Sequence, residues 1–192
     1  LKNKFKQDSF INNLSNNNGI VQFDGELKKV SKYKFSKISQ FDQYQPELLF
    51  TKKNTLIFFN EKGTILNFDY NKKLIWKNNI YSKSQKKQNP ILYFAANKNT
   101  LIVADSIANY YALNINTGDL LWSKNSIAPF NSQVKIFEDK FFVIDFENIL
   151  RCFSIKDGKE LWNFKTEKSF IKSQQKLSYI INKNYIIIIN NK

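Results

Sequence analysis

The chain is 192 residues long, and its content of 42% hydrophobic and 16% aromatic residues is ample for a sizeable core. Its formal net charge is +14, yet almost every cation is a lysine and Arg151 is the single arginine. A dedicated reader of phosphates or guanine edges is expected to carry more arginine, whose planar guanidinium binds both bidentately. The absence of histidine also removes the commonest general base and the commonest metal ligand.

Two interpretations of the positive charge remain open. Lys, Asn, Ile and Phe are all abundant and share A/T-rich codons, which favours genome bias together with a solvated lysine surface. An electrostatic role would instead imply nucleic acid, an anionic membrane or an acidic protein as the partner. No apolar run reaches the roughly 18 residues that a membrane span requires.

Cys152 is the only cysteine, so no disulfide can form within this chain. It lies in the sequence LRCFSI, which predicts a strand. We expect a buried and inert thiol there.

The first 45 residues are the least regular part of the chain. Residues 1–18 are polar and rich in Asn, which predicts a tail, a linker or a short helix. Residues 19–45 contain apolar runs at 19–23 and 30–35, separated by Asp24-Gly25, which predicts two strands joined by a turn. We interpret this segment as a degenerate or partial copy of the repeat that follows it.

From residue 46 onward the sequence repeats about every 44 residues. Three stretches each combine two apolar runs, a polar turn and a third run that ends in Trp: TLIFFNEKGTILNFDYNKKLIW (55–76), TLIVADSIANYYALNINTGDLLW (100–122) and FFVIDFENILRCFSIKDGKELW (141–162). Another apolar run precedes each of them, at 46–50, 90–95 and 133–137, and a fourth run at 177–181 is followed by one at 185–189. Four short strands per repeat of this length are typical of a β-propeller blade.

The predicted fold class is therefore all-β, a propeller of four-stranded antiparallel blades of which this chain is one part. Blades are predicted at residues 46–89, 90–132 and 133–176, and the first half of a truncated blade at residues 177–192. A ring of eight such blades would need about 350 residues. We expect the chain to be about half of such a ring, to belong to a longer protein, and to be marginally stable or sticky by itself.

Glycine marks the predicted turn between the third and fourth strands of two blades. Gly118 and Gly158 lie in the segments 114–119 and 154–159, where a residue without Cβ adopts a positive φ at no steric cost. The first blade has the shorter turn 69–73 without glycine. Asn71 is the residue expected to take the left-handed conformation there.

The three tryptophans, Trp76, Trp122 and Trp162, are predicted on fourth strands. Each would wedge between neighbouring blades and bury a large ring. An aromatic platform for bases or sugars is the alternative, but the recurrence of Trp at one position in every unit favours packing.

Carboxylates near strand ends are the remaining polar candidates. Asp105, Asp145 and Glu147 follow apolar runs, where hydrogen bonds to turn amides are the commoner use of such side chains. The lysine-rich segment 83–89 is predicted to be a solvated loop between blades. No residue is assigned a catalytic, cofactor-binding or metal-binding role, and we expect no cofactor and no enzymatic activity.

The stretches YYALNINTGDLLWSKN (110–125) and RCFSIKDGKELWNFK (151–165) resemble the repeat of the PQQ-like β-propeller family, roughly A-L-D-x-x-T-G-x-x-x-W. Asn114 and Ser154 stand where that family favours Asp, and the first blade lacks the Thr-Gly pair. The resemblance covers residues 46–192. Within the family it is greatest to BamB, an eight-bladed lipoprotein of the machinery that assembles outer-membrane β-barrels.

The resemblance to BamB implies a non-enzymatic periplasmic scaffold, associated with the outer membrane through a lipid anchor outside this segment, with a protein partner resembling BamA. Because catalytic and scaffolding propellers share the repeat, two alternatives remain. One is a generic propeller module that binds protein, polysaccharide or nucleic acid. The other is part of a PQQ-dependent dehydrogenase, for which the resemblance implies a quinone held between a Trp and a disulfide of adjacent cysteines. Cys152 alone cannot supply that disulfide.

Overall fold

The computed structural model describes residues 32, 47–51, 53–165, 177–181 and 183–188. The predicted tail at 1–18 lies outside the described residues, and so does the predicted partial repeat at 19–45 apart from Lys32. Within the described ranges the chain forms three four-stranded sheets, a two-stranded hairpin and one short helix.

Each four-stranded sheet is an antiparallel meander in which consecutive strands are neighbours. Blade 1 consists of β1 (Leu49–Phe50), β2 (Leu56–Phe59), β3 (Ile65–Phe68) and β4 (Leu74–Asn78). Blade 2 consists of β5 (Leu92–Asn97), β6 (Thr100–Asp105), β7 (Asn109–Asn114) and β8 (Leu120–Asn125). Blade 3 consists of β9 (Lys135–Phe137), β10 (Lys140–Ile144), β11 (Ile149–Ser154) and β12 (Glu160–Lys165), and the hairpin of β13 (Tyr179–Ile181) and β14 (Ile186–Ile188) follows it. The prediction of an all-β, partial propeller is confirmed.

Burial along the strands shows how the blades pack. The second strands of the blades are almost wholly buried on both faces, and in blade 2 this burial comes from blades 1 and 3 on either side. The fourth strands are mostly exposed, since they form the outer rim. Continuous apolar runs such as LIFF in β2 therefore reflect two-sided burial rather than an error in the strand prediction.

Three apolar clusters lie between successive blades. The first joins blades 1 and 2 and includes Phe59, Trp76 and Tyr111. The second joins blades 2 and 3 around Tyr110 and Phe153, whose ring centroids are 4.6 Å apart. The third joins blade 3 to the β13–β14 hairpin. The core is thus a chain of interfaces between blades, as in other repeat proteins.

The turn between β3 and β4 differs from the sequence prediction. In the turn 69–73, Lys72 rather than Asn71 has the positive φ, at 69°. Its N–H bonds to the Asp69 carbonyl, as the N–H of Gly118 bonds to that of Asn114, so the hydrogen-bonded geometry of the hairpin decides which residue is left-handed. The prediction for Asn71 was therefore wrong.

The connection between blades 1 and 2 also contains one turn of helix, α1 (Lys83–Lys86), where a loop was predicted. Ser82 and Gln85 form a reciprocal capping box at its start, which offsets the short length of the helix. No helix among the described residues has the length and apolar character needed to cross a bilayer.

Candidate functional site: the junctions between blades

The tryptophan of one blade packs on the turn between the third and fourth strands of the next. The Nε1 of Trp76, on β4, donates a hydrogen bond of 3.0 Å to the carbonyl of Ile115 in blade 2. Trp122, on β8, makes the same bond of 3.0 Å to the carbonyl of Ile155 in blade 3. The repeated Trp therefore joins adjacent blades by both an apolar contact and a hydrogen bond.

Glycine is required in the two turns that receive these rings. Gly118 has a φ of +78° and Gly158 a φ of +67°. A Cβ on Gly118 would lie 2.6 Å from Cε3 of Trp76, and one on Gly158 would lie 2.6 Å from Cζ3 of Trp122. Both distances are far below an ordinary carbon contact. The Gly and the Trp of one motif thus belong to two different junctions. The Gly contacts the Trp of the preceding blade, and the Trp contacts the Gly of the following blade.

Trp162, on β12, receives no equivalent turn from the described residues. Its side chain is 41% exposed, compared with 7% for Trp76, and its ring lies 5.8 Å from that of Phe142. Leu161 and Phe164 on the same strand are also exposed. Among the described residues, none covers this part of β12 as the β7–β8 turn covers Trp76.

Asp105 and Asp145 hold equivalent turns between the second and third strands of blades 2 and 3. The Oδ1 of each accepts two backbone N–H groups, those of Ile107 and Asn109 and those of Glu147 and Ile149, at 2.7 to 3.0 Å. The amide oxygen of Asn60 does the same in blade 1. The turn-forming role predicted for Asp105 and Asp145 is what the structure shows. The role of Asn60 was missed, although it also directly follows an apolar run.

The second oxygens of the two carboxylates have different partners. Oδ2 of Asp105 accepts the hydroxyl of Tyr81 at 2.6 Å and the amide of Asn109 at 2.9 Å. Oδ2 of Asp145 accepts Nε of Arg151 at 2.8 Å, and Nη1 of the same arginine reaches Glu160 at 3.0 Å. Burial raises the pKa of Asp105, whose hydrogen bonds oppose that rise. Burial likewise raises the pKa of Tyr81.

Cys152 lies on β11 and its side chain is fully buried. Burial raises the pKa of its thiol to about 11, which keeps it protonated near neutral pH. The residue therefore packs as a small apolar side chain in the third cluster.

A cleft of about 200 Å³ opens between blades 1 and 2. It lies at the end of the blades that carries the β1–β2, β3–β4, β5–β6 and β7–β8 turns. Its polar walls come from Thr51, Thr55 and Lys53 of the β1–β2 turn and from Lys98 of the β5–β6 turn, and Ile115 lines it from the β7–β8 turn. We call this space the first-junction cleft.

Asn67, on β3, is the most deeply placed polar residue of the first-junction cleft, with only 3% of its surface exposed. Its Nδ2 lies 3.5 Å from the carbonyl of Ile115, a long and weak hydrogen bond. Its Oδ1 has no donor among the residues that the structure describes. Asn67 lies two residues before its hairpin turn, as Ala112 and Cys152 do, but no nearby residue marks it as a buried amide.

Comparisons with known proteins agree with this architecture. The family described as "Outer membrane protein assembly factor BamB" matches residues 61–192. The chain belongs to this family. No curated protein matches it.

Solved structures with the BamB-type fold are similar at low sequence identity. The crystal structure of BamB from Moraxella catarrhalis has a TM-score of 0.53 and 14% identity, over 70% of this chain and 41% of its own. The computationally designed Ika4 protein has a TM-score of 0.60 and 13% identity, over 84% and 91%. A europium-containing methanol dehydrogenase has a TM-score of 0.53 and 15% identity, over 62% and 24%. These likenesses show the fold, and the chain spans less than half of the BamB structure.

Proposed function

We propose that this chain is part of a non-enzymatic scaffold that assists the assembly and insertion of β-barrel proteins into the outer membrane. The match of the BamB family to residues 61–192 is the observation that carries this proposal. The proposed setting is the periplasm, with attachment to the outer membrane through a lipid anchor outside this segment. The proposed partner is a component of the assembly machinery that resembles BamA.

The outer rim of the blades supports a role in protein binding. Large apolar side chains remain exposed on the fourth strands of blades 1 and 2, namely Leu74, Ile75, Leu120 and Leu121, and Leu161 repeats the pattern on blade 3. They lie beside exposed lysines such as Lys77 and Lys124 on the same strands. Apolar side chains within a polar surface are the usual composition of a protein interface.

Capture from solubilised outer membranes tests this proposal. The full-length protein, tagged and expressed in its own cells, is expected to fractionate with the outer membrane and to retain the BamA-like component at moderate salt. Cells that lack it are expected to hold less folded β-barrel protein in the outer membrane. Recovery in the cytosol, or an unchanged complement of β-barrels together with no capture of the component, would overturn the proposal.

A quinone-dependent dehydrogenase is the second candidate, because a methanol dehydrogenase shares the fold. The residues present do not fit the quinone site that the family resemblance implies. That site uses a disulfide between adjacent cysteines, whereas Cys152 is the only cysteine of the chain and lies buried in β11. A rise in melting temperature of the full-length protein on addition of pyrroloquinoline quinone and calcium would revive this candidate.

A further inference from the structure

The connection between blades 1 and 2 places a lysine-rich turn on the surface. Lys83 and Lys86 belong to α1 and Lys87 follows it, and the first turn of the helix contains no acidic residue. The reciprocal capping box of Ser82 and Gln85 fixes the backbone of this turn. The three lysines therefore project from a defined position and not from a free loop.

Other segments from the same end of the blades lie beside α1. Oδ1 of Asn109, at the start of β7, accepts Nε2 of Gln85 at 3.3 Å and Nδ2 of Asn125 at 2.9 Å. The helix and the end of β8 are thus neighbours. Just before the helix, Nδ2 of Asn79 donates to the carbonyl of Lys62 in the β2–β3 turn at 3.0 Å. This end is opposite to the one that opens into the first-junction cleft.

The surface around α1 is positively charged. Its lysines are Lys62, Lys83, Lys86 and Lys87. Within the described segments 60–64 and 79–91 the only acidic residue is Glu61, and no described ion pair involves the four lysines. The connection between blades 2 and 3, residues 126–134, contains no lysine. The charge is therefore a property of this one connection and not of the repeat.

An apolar side chain projects from the same end. Ile127, two residues after Asn125, is 94% exposed, more than any other large apolar side chain that the structure describes. Its backbone is held on both sides, because the N–H of Ser126 donates to the carbonyl of Ala108 at 2.7 Å and Ala128 is buried. Packing within the fold therefore does not explain why an isoleucine stands here.

Lysines around a projecting aliphatic side chain select the chemistry of the partner. A nucleic acid would bring charged phosphates to Ile127, and its dedicated readers carry more arginine than this chain does. A lipid surface with negative headgroups satisfies both features, because phosphates lie above an apolar interior that a projecting side chain can enter. Each lysine near such a surface contributes about fivefold in affinity.

We propose that this end of blades 1 and 2 binds an anionic lipid surface. Ile127 inserts below the headgroups, and the lysines of α1 together with Lys62 contact the phosphates. The inference goes beyond the proposed function, in which a lipid anchor attaches the protein to the membrane. An anchor alone leaves the orientation of the propeller free, whereas this surface would fix which end of the blades faces the membrane.

A fluorescent label at Ile127 in the full-length protein tests the inference. Ile127→Cys is labelled with the polarity-sensitive dye NBD, and the buried thiol of Cys152 should not react. Vesicles of equal parts phosphatidylcholine and phosphatidylglycerol should shift the emission to the blue and raise it at least about twofold. Vesicles of phosphatidylcholine alone should not, and high salt should remove the response. The same label on Asn71→Cys, at the opposite end of blade 1, should not respond.

Paired variants separate this surface from net charge. Lys83→Glu combined with Lys86→Glu is expected to raise the anionic lipid needed for half of the response at least about tenfold. Lys156→Glu combined with Lys159→Glu makes the same change in net charge in the exposed β11–β12 turn at the other end, and should leave the response unchanged. Melting temperatures check that the variants fold. Lys83→Glu alone carries the test if the double variant does not.

Four results would overturn the inference: no shift with anionic vesicles, an equal shift with neutral vesicles, an equal response of the label at Asn71, or equal losses in the two double variants. A blue shift as large with a DNA duplex would assign the surface to nucleic acid, and one with the assembly component in the absence of lipid would assign it to a protein. Either would also overturn the inference.

Failure of this inference is distinguishable from failure of the proposed function. Capture of the assembly component without the lipid response overturns only the lipid surface. The lipid response without such capture overturns only the proposed function.

Discussion

The repeated tryptophan is buried at the junction between blades 1 and 2 and partly exposed on β12 of blade 3. Trp76 packs against Gly118 and donates a hydrogen bond to the carbonyl of Ile115, whereas Trp162 is 41% exposed on β12. The sequences around the two residues, KKLIW and KELW, differ little. The difference in burial therefore comes from the neighbouring blade and not from the strand that carries the Trp.

This comparison shows that a blade of this fold is not a complete unit. Its fourth strand supplies a ring and the next blade supplies the turn that covers the ring, so stability is shared between neighbours.

Removing the two tryptophans should have very different consequences. Trp76→Ala deletes a buried ring and a hydrogen bond, and we expect it to lower the free energy of unfolding by about 3 to 5 kcal/mol. Trp162→Ala should cost about 1 kcal/mol or less, because much of that ring is exposed. Urea unfolding of the two variants measures both values. Equal losses would show that Trp162 is covered in the protein in solution.

Gly118→Ala should destabilise the same junction through the turn that packs on Trp76. The new Cβ combines an unfavourable positive φ with a clash against Trp76, and we expect a loss of about 2 to 4 kcal/mol in the free energy of unfolding. Combining it with Trp76→Ala should restore part of that loss, since the clash disappears with the ring. Strictly additive losses in the double mutant would argue against a direct contact between the two residues.

The buried carboxyl of the first junction predicts a dependence on pH. Burial raises the pKa of Asp105 above its ordinary value of 3.8, so the folded state holds this proton more tightly than the unfolded chain does. The stability that the protonated carboxyl contributes is therefore fully present below the unfolded pKa and is lost as the pH rises through the folded pKa.

Comparison with Asp105→Asn isolates this contribution. We expect the free energy of unfolding of the wild type, taken relative to that of the variant, to fall as the pH rises from about 3 towards about 7. Urea titrations at several pH values measure it. A difference that stays constant, or one that grows as the pH rises, would contradict a raised pKa at this site.

The smallest effect is expected at Lys72, which occupies in blade 1 the position of Gly118. Lys72 has a φ of 69°, a strained conformation for a residue with a Cβ. Lys72→Gly relieves the strain but increases the entropy of the unfolded chain, so the net change should lie between zero and a gain of about 1 kcal/mol. A matched Asn71→Gly should not stabilise, because no positive φ is relieved there. A loss exceeding about 1 kcal/mol for Lys72→Gly would contradict this account.

The sequence predicted the blades from a local pattern that the fold preserves. The spacing of apolar runs, glycine turns and Trp specifies four short strands per unit, because each strand and turn forms from residues close in the chain. The same reasoning failed at Asn71, where the hydrogen bonds of the hairpin rather than residue preference selected Lys72. It also missed Asn67, since nothing near that residue in sequence distinguishes a buried amide from the many exposed asparagines.

The sequence alone determined the class of fold, the period of the repeat and the residues that recur in it, since these follow from local hydrophobic patterning and turn chemistry. Tertiary structure alone decided that Trp76 meets Gly118 rather than its own turn, that the second oxygen of Asp105 accepts the hydroxyl of Tyr81, and that Asn67 lines a cleft between blades 1 and 2. The Trp76 contact joins different sheets across about 40 residues of chain, and the bond from Tyr81 to Asp105 spans 24 residues. Their geometry is set by how one blade packs on the next, and no local pattern contains it.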